Sequence, residues 1–185
     1  MLKPSRNVER LLSRLSAGRI VLAVALGLLA TAARPAVSPA PTTPSLADRI
    51  LVEKADHRLS LLRHGQVLKV YRVALGSGGL APKRRQGDNL VPEGVYALDS
   101  RNAGSAYHRA LHVSYPNAAD RARARAQGVD PGGDIMVHGL PNGYGWLGAA
   151  HRLHDWTRGC IAVTDAEIEE IWRLVPNGVM IEIRP

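Results

Sequence analysis

The cysteine at position 160 is the only one in this chain of 185 residues, and its neighbours favour a reactive thiol. Without a second cysteine, Cys160 has no intramolecular disulfide partner, and a buried, inert side chain is the simplest alternative. However, the sulfur follows a Thr-x-Gly turn and precedes a β-branched stretch, in the order DWTRGCIAV over residues 155–163. Main-chain N–H groups of such a turn can face an oxyanion that develops on an attacked carbonyl. Cys160 is therefore a candidate nucleophile.

A histidine 22 positions upstream supplies the base that such a thiol needs. An unperturbed thiol has a pKa of about 8.5, so only a few per cent is thiolate at neutral pH unless an imidazole takes the proton. His138 follows a predicted buried strand. The backbone carbonyl of Gly139 can fix its tautomer, because no acidic side chain follows until Asp155. We expect His138 and Cys160 to meet as a catalytic pair.

These two motifs resemble the signature of the YkuD-type L,D-transpeptidases of bacterial peptidoglycan, which is a His-Gly pair followed by Ser/Thr-x-Gly-Cys. Here the two parts are His138-Gly139 and the run Thr-Arg-Gly-Cys at residues 157–160. The resemblance covers roughly residues 50–185 and includes residues 92–96, which are similar to the family's entry into a strand. The run DWTRGCIA at residues 155–162 looks like one subgroup of the family.

The resemblance implies a mostly β fold of the α+β kind, a YkuD-like β-sandwich of mixed sheets with one or two short helices. It also implies an exported cysteine acyltransferase that acts on the peptide stems of peptidoglycan. In that reaction Cys160 forms a thioester with the third residue of a tetrapeptide stem, and D-alanine leaves. A side-chain amine of another stem, or of a wall-attached lipoprotein, accepts the acyl group. No cofactor is needed.

The resemblance also assigns roles around the thiol, residue by residue. The catalytic residues are Cys160, His138 and Gly139. The turn that supports the oxyanion consists of Thr157, Arg158 and Gly159. The candidates for substrate binding are Trp156, which lies beside the nucleophile and not on a periodic face, together with His154, Asn142 and Tyr107.

Two departures from the family pattern leave the acyl acceptor open. Arg158 stands where many members carry histidine, and Ala162 stands where many carry arginine. Water as the acceptor would make the protein a hydrolase, either an L,D-carboxypeptidase or an amidase that releases wall-linked protein. A non-catalytic wall-binding module and a zinc hydrolase are more remote alternatives.

Metal and nucleic-acid binding find little support in the sequence. The chain has seven histidines but no His-Glu-x-x-His motif, and the one set considered for zinc is His138, His154 and Cys160. We therefore expect no metal. The formal net charge is +8, but five of the basic residues precede residue 20, and aromatic residues are few. Without a nucleic-acid motif, we expect no nucleic-acid partner.

Three arginines lie on a predicted Ala-rich helix at residues 118–127, namely Arg121, Arg123 and Arg125. Two interpretations are open. The commoner role of such residues is a solvated helix face. The alternative is a groove for acidic peptide stems or wall phosphates.

The first 46 residues have the composition of a targeting segment and a tether. Basic residues precede an apolar run of 14 residues, 20–33, which is shorter than the roughly 17 to 25 residues that span a bilayer. We predict a signal peptide or short membrane anchor at residues 1–33, a Pro-rich linker at residues 34–46 and the catalytic domain at residues 47–185. We expect the protein to be a monomer in the periplasm or cell wall. It would contact a membrane only if the N-terminal segment is not cleaved.

Short strands separated by Gly, Pro and Asn must position these side chains. A hairpin is predicted around residues 63–66. The full set of predicted strands is 50–52, 58–62, 67–75, 95–99, 111–115, 135–138, 161–163 and 179–183. A second helix is predicted at residues 165–175, because residues 164–167 form a capping box and apolar residues follow at helical spacing. His138 thus ends one strand, and Cys160 directly precedes another.

Overall fold

The computed structural model describes residues 45–185. The signal peptide or anchor predicted at residues 1–33, and residues 34–44 of the predicted linker, lie outside the described residues. None of the helices formed by residues 45–185 combines the length and the apolar composition that a membrane span requires.

Eight strands form one mixed sheet that is the frame of the domain. In chain order they are β1 (Arg49–Glu53), β2 (Arg58–Arg63), β3 (Gln66–Arg72), β4 (Gly94–Asn102), β5 (Ala110–Val113), β6 (Met136–His138), β7 (Ile161–Ala162) and β8 (Met180–Arg184). Their order across the sheet is β3-β2-β1-β8-β4-β5-β6-β7. The pairs β1–β8 and β6–β7 are parallel, and the other neighbours are antiparallel. The predicted mostly β class is confirmed.

The strand β4 is long enough to serve two parts of the sheet. Its residues from Gly94 to Ala97 pair with β8. From Leu98 onward the strand pairs with β5, and its register shifts between Leu98 and Ser100. The two parts of the sheet therefore share one strand, and β5, β6 and β7 extend from its second half.

The two edges of the sheet approach each other, so the sheet curls. The chain that leaves β3 forms an antiparallel bridge from Ala74 to Ala162 and a parallel bridge from Gly76 to Thr157. Ala74 and Ala162 each donate an N–H to the other's carbonyl at 2.9 Å. These bridges place the segment that carries Cys160 against the far edge of the sheet.

The predicted hairpin is confirmed in β2 and β3, which pair antiparallel. His64 and Gly65 form its tip, with φ of 50° and 78°. Two consecutive residues with positive φ are what a two-residue type I′ turn requires, and this turn matches the twist of the flanking strands.

Both predicted helices are confirmed, as α1 (Ala118–Ala126) and α2 (Asp165–Leu174). Each begins with a capping box, and the one formed by Thr164 and Glu167 is the box that the sequence predicts. Reciprocal caps of this kind satisfy backbone N–H groups that the first helical turn leaves unpaired. They fix where each helix starts.

A third helical segment lies around His151, where no helix is predicted from the sequence. It is a 3₁₀ segment, η1 (Gly145–Leu153), which is interrupted at Gly148, where φ is 47°. A 3₁₀ turn needs only i→i+3 hydrogen bonds and is short. It has no apolar period of 3.6 residues, so no periodic pattern marks it in the sequence.

The core is formed by one face of the curled sheet together with α2. Ile168 and Ile171 of α2 are fully buried, and burial of such a side chain contributes about 1.5–3 kcal/mol. Trp172 is partly buried against the same core. The guanidinium groups of Arg101 and Arg109 lie 4.6 and 4.8 Å from the centroid of its ring. Trp172 is thus part of the helix packing.

Candidate active site

The turn before Cys160 is held by the side chain of Thr157, which is itself buried. Its hydroxyl accepts a hydrogen bond from the N–H of Gly159 at 3.1 Å and donates one to the carbonyl of Cys160 at 2.7 Å. Gly159 has φ of 114°, and a Cβ there would lie 2.6 Å from the carbonyl oxygen of Leu90. Because only glycine fits that position, the Thr-x-Gly-Cys spacing builds one rigid conformation.

These hydrogen bonds also determine which N–H groups of the turn are free to bind an oxyanion. The N–H of Gly159 is engaged by Thr157 inside the turn. The N–H of Cys160 is therefore the group of this turn best placed to face a developing negative charge. Arg158, at the tip of the turn, is exposed to solvent.

Asp155 ties the turn to the opposite edge of the sheet, a role that the sequence does not suggest. Its Oδ1 accepts a hydrogen bond from the N–H of Leu75 at 2.7 Å, and its Oδ2 lies 2.9 Å from Nε2 of His57. The N–H of Thr157 adds a bond to the carbonyl of Leu75 at 3.0 Å. In the sequence, the one indication of a role for Asp155 is its position at the start of the run DWTRGC, which ends at Cys160. Asp155 thus positions the turn without being part of it.

His138 ends β6, is only 3% exposed, and is held in one tautomer. Its Nδ1 lies 2.7 Å from the carbonyl oxygen of Gly139. Because a carbonyl only accepts, Nδ1 carries the proton and Nε2 is left as an acceptor. Burial lowers the pKa of His138 below its ordinary value of 6.5, although the hydrogen bond to Gly139 opposes this shift. The imidazole is therefore a neutral base at pH 7.

Gly139 is confined by the start of α2. A Cβ at this position would lie 2.8 Å from Oδ1 of Asp165 and 3.1 Å from the Cβ of His108. The same Oδ1 accepts a hydrogen bond from the N–H of Leu140 at 2.8 Å. The residues after His138 are thus fixed against α2, which in turn fixes the carbonyl that holds the imidazole.

The parallel pairing of β6 with β7 brings His138 and Cys160 to one face of the sheet. Val137 lies opposite Ile161, and His138 lies opposite Ala162. Side chains alternate between the two faces of a strand, and paired residues share a face. Cys160 comes two residues before Ala162, so its side chain lies on the same face as His138, diagonally across the pair.

The thiol of Cys160 is partly exposed, and its sulfur lies 3.6 Å from the carbonyl oxygen of Asp134. Burial raises the pKa of this thiol above its ordinary value, although a hydrogen bond from the N–H of Met136 opposes the shift. With the thiol pKa raised and the imidazole pKa lowered, the resting pair is a neutral thiol and a neutral imidazole. The thiol proton must therefore pass to a base before or during an attack by the sulfur.

Aromatic rings lie beside the imidazole of His138. The ring centroids of Tyr107 and Trp156 are 4.6 and 5.8 Å from that of His138, and the two rings stack on each other at 6.2 Å. The indole N–H of Trp156 donates to Nδ1 of His151 at 3.4 Å. Two of the four candidates for substrate binding, Tyr107 and Trp156, are thus brought next to the base.

The other two candidates lie further out. His154 is exposed and lines an apolar cavity of about 330 Å³, whose walls are largely η1 and its flanking residues. Asn142 is bound within a loop: its Oδ1 accepts from the N–H of His108 at 2.9 Å, and its Nδ2 donates to the carbonyl of Ser105 at 3.1 Å. The side chain of Asn142 therefore holds the loop that leads into β5.

Ala162, where many relatives carry arginine, does not line an open cleft. Its side chain is fully buried. Its N–H and carbonyl are both bound to Ala74 of the opposite edge. Ala162 therefore contributes to the closing of the sheet through its backbone, and its buried position leaves little room for a longer side chain.

No three side chains of His, Cys, Asp or Glu within residues 45–185 are grouped so that they could hold a metal ion. The set His138, His154 and Cys160, considered for zinc, does not form such a group. The chemistry available at this site is that of a thiol, an imidazole and backbone N–H donors.

Comparison with known proteins finds similarity over most of the described residues. The sequence profile of the YkuD family, described as the L,D-transpeptidase catalytic domain, matches residues 47–183. A candidate L,D-transpeptidase, YafK of Escherichia coli K12, is 32% identical over 117 residues, which are 62% of this chain and 40% of YafK. The chain therefore spans less than half the length of the curated relatives that it matches.

Solved structures share the architecture. The helical cell shape determining protein Pgp2 from Campylobacter jejuni has a TM-score of 0.57 at 25% identity, over 76% of this chain and 48% of Pgp2. Bd1075 of Bdellovibrio bacteriovorus has a TM-score of 0.52 at 24% identity, over 76% of this chain and 51% of Bd1075. The second likeness shows a common fold.

Proposed function

This chain belongs to the YkuD family of L,D-transpeptidase catalytic domains, which act on peptidoglycan peptide stems, and we propose that it is an exported cysteine acyltransferase. The observation that carries the proposal is the neutral imidazole of His138, whose Nδ1 is bound to Gly139 while Nε2 remains an acceptor on the face that carries Cys160. A thiol and an oriented base on a rigid turn are the parts that acyl transfer through a thioester requires.

In the first half-reaction the sulfur of Cys160 attacks a carbonyl of a tetrapeptide stem. The carbonyl belongs to the bond between the L-centre of the third residue and the terminal D-alanine. Nε2 of His138 takes the thiol proton as the C–S bond forms, and the N–H of Cys160 faces the oxyanion. When the C–N bond breaks, the imidazolium gives this proton to the leaving amine. D-alanine departs, and the third residue is held as a thioester.

In the second half-reaction an amine attacks the thioester. The amine is a side chain of a neighbouring stem or of a wall-attached lipoprotein. His138 takes a proton from the amine and returns it to the sulfur, so an amide forms as the C–S bond breaks. No oxidant, metal or cofactor enters this balance.

Mass spectrometry of muropeptides tests the proposal. The purified chain is incubated with disaccharide tetrapeptides, with a Cys160→Ala variant as the control. Cross-linked dimers with loss of D-alanine are the expected products of the wild type, and the variant should form none. Absence of every product, together with the absence of a covalent adduct with a carbapenem, would show the proposal to be wrong.

Hydrolysis of the same thioester is the second candidate function. It is favoured by the burial of Ala162 and by the exposed Arg158, because two groups that many relatives carry near the thiol have no counterpart here. A bidentate guanidinium can hold a stem carboxylate in a way that alanine cannot. In the same assay hydrolysis gives tripeptide monomers in place of dimers, as an L,D-carboxypeptidase does. Release of a wall-linked protein from sacculi would instead identify an amidase activity.

Export to the periplasm or cell wall is part of the proposal, because the peptide stems are found there. It is supported by the basic and apolar composition of residues 1–33. Cell fractionation with N-terminal sequencing of the product tests it. The expected N-terminus lies near residue 33 if the segment is removed, and a membrane-bound full-length chain would identify an anchor.

A further inference from the structure

His151 is the one buried residue of η1, with 7% of its surface exposed, and it contacts the aromatic rings beside the base. The indole N–H of Trp156 donates to its Nδ1 at 3.4 Å, and the two rings meet edge to face with centroids 6.4 Å apart. A ring nitrogen that accepts a hydrogen bond carries no proton, so the neutral imidazole of His151 has its proton on Nε2. The contact with the indole therefore requires that His151 is neutral.

Burial keeps His151 in this neutral form. It lowers the pKa of His151 below its ordinary value of 6.5, and the guanidinium of Arg152 lowers this pKa further. A charge on His138 acts in the same direction, whereas the carboxylates of Glu167 and Asp165, in the first turn of α2, oppose the shift. At neutral pH the imidazole of His151 is thus an acceptor for the indole.

The second ring nitrogen of His151 distinguishes this position from an ordinary packing site. Nε2 is buried and finds no hydrogen-bond partner among residues 45–185. A buried donor without a partner costs free energy, and an apolar side chain of similar shape would avoid that cost. A histidine at this position therefore has its value in the other nitrogen, the acceptor Nδ1.

The hydrogen bond to His151 orients the indole of Trp156. The backbone is already fixed on both sides of this residue, because Asp155 accepts from the N–H of Leu75 at 2.7 Å and Thr157 donates to the carbonyl of Leu75 at 3.0 Å. What remains free is the rotation of the side chain. Contacts between aromatic rings tolerate a range of geometries, whereas a hydrogen bond is directional. The bond to Nδ1 thus selects one orientation of the indole.

This orientation determines the surroundings of the base. The indole stacks on Tyr107 and lies edge to face with His138. Trp156 also lines the apolar cavity beside η1, so the indole borders both this cavity and the imidazole of His138. Burial is the main reason why the pKa of His138 is lowered. If the indole rotated away, water would reach the imidazole, and this pKa would rise.

We propose that His151 is a positioning residue whose Nδ1 holds the indole of Trp156 against the imidazole of His138 and thereby keeps water from the base. The proposal rests on the proposed function only for the reaction that the base assists. Packing of the indole between neighbouring rings is the competing explanation, and it needs no acceptor at residue 151.

Two substitutions of His151 separate these explanations. His151→Asn keeps an acceptor at the place of Nδ1, whereas His151→Leu puts an apolar branch there. In the full chain with Cys160→Ala, NMR follows the titration of His138 and the indole N–H signal of Trp156. We expect His151→Leu to raise the pKa of His138 toward 6.5 and to shift the indole signal, and His151→Asn to change both far less. Equal shifts in the two variants, or none in either, would overturn the proposal.

Thermal unfolding of the same variants tests whether the role of His151 is merely structural. His151→Leu removes the buried Nε2 that has no partner, so its melting temperature should equal or exceed that of the parent chain. A large fall in the melting temperature of His151→Leu, with no change in the titration of His138, would identify His151 as a packing residue and contradict the proposal.

The rate of acylation by a carbapenem completes the test, with Cys160 present. His151→Leu should lower this rate about three- to tenfold at pH 6 and less at pH 8, because a base of higher pKa is protonated first at the lower pH. Trp156→Phe removes the indole N–H, and adding His151→Leu to it should change the rate by less than about twofold. Independent losses from the two substitutions would contradict the proposal. If the titration of His138 responds as expected but the wild-type chain forms no adduct, the positioning role stands and the proposed activity fails.

Discussion

The Cys160 turn and the 3₁₀ segment η1 both adjoin the catalytic pair, and they are stabilised in opposite ways. In the turn, Thr157 is buried, and its hydroxyl and backbone are all hydrogen-bonded. On η1, Trp146 and Leu153 are 78% and 77% exposed, and Gly148 interrupts the helix. The nucleophile thus sits on an element that has one conformation, whereas η1 exposes large apolar side chains and is interrupted.

This difference suggests a division of roles between the two regions. Chemistry at a thiol requires reacting groups held within a fraction of an ångström, which only a packed and hydrogen-bonded element provides. Residues of η1 line an apolar cavity together with Trp156, and segments that admit substrate and release product belong to the less stable parts of a fold. We therefore expect substitutions in the turn to have large effects and substitutions on η1 to have small ones.

The largest expected effect is that of Cys160→Ala, which removes the nucleophile. Carbapenem adducts should disappear completely from the intact mass spectrum, because no other thiol is present in the chain. The fold should persist, since a small residue at a partly exposed site leaves no large cavity. An adduct on the alanine variant would show that the acylated residue lies elsewhere. A melting temperature close to that of the wild type is the accompanying control.

The next effect in size is that of His138→Ala. Loss of the base should lower kcat/KM by about 10² to 10⁴, the usual contribution of general acid–base catalysis. His151→Ala and His154→Ala, on the η1 side, are the comparison and should lose far less. If either matched the loss at His138, the base would be misassigned, and the contrast between the two regions would fail.

Gly159→Ala tests the rigidity of the turn. A Cβ there would meet the carbonyl of Leu90 at 2.6 Å, and φ is 114°. We expect a loss of about 1–3 kcal/mol from backbone strain, seen as a fall of about 2–4 °C in melting temperature for each kcal/mol. Gly143→Ala is the matched control: its φ is 86°, but nothing lies within 4 Å of the added Cβ. An equal loss at Gly143 would mean that the packing on Leu90 contributes nothing.

The pH profile tests the charge state of the pair. The pKa of His138 is lowered, so the imidazole stays neutral as the pH falls, and the acid limb of kcat/KM should lie below pH 6.5. At pH 6 the rate should remain a larger fraction of its value at pH 8 than the roughly one quarter expected for an ordinary imidazole of pKa about 6.5. Iodoacetamide labelling of Cys160 should continue to rise above pH 9, because the thiol pKa is raised. An acid limb above pH 7 would contradict a buried neutral base.

The smallest expected effect is that of Trp146→Ala on η1. The indole is mostly exposed, so stability should change by less than about 0.5 kcal/mol. The rate of acylation by a carbapenem should stay within about threefold of the wild type. Chemical denaturation and intact mass measured over time provide both values. A loss as large as that at Gly159 would show that η1 is as tightly packed as the turn.

Local patterns explain how much of this molecule was predictable. The hairpin at residues 63–66 and the capping box at Thr164 depend on neighbours within a few residues, and both predictions are confirmed. The mostly β class follows from the spacing of apolar residues and turns. By contrast, η1 lacks the apolar period that would reveal a helix. The predictable part is the part that short-range physics determines.

The candidate site shows the same limit. The spacing of His138-Gly139 and the Thr-x-Gly-Cys run predicts which residues face the thiol, and these assignments remain predictions that the variants above test. Asp155 could not be given a role, because its partner Leu75 is 80 positions away and the contact depends on how the sheet closes. Ala162 could not be recognised as buried for the same reason. Contacts between the two edges of the sheet cannot be predicted from local sequence patterns.

The meeting of the sheet edges also has a consequence for how the chain folds. The contacts between residues 74–76 and residues 157–162 join segments far apart in sequence, and such contacts are slow to form because a long loop must close first. We expect the bridge at Ala74 to be among the last contacts made. Until then the segment that carries Cys160 is not held against the opposite edge of the sheet. The surroundings of the nucleophile are thereby completed only at the end of folding.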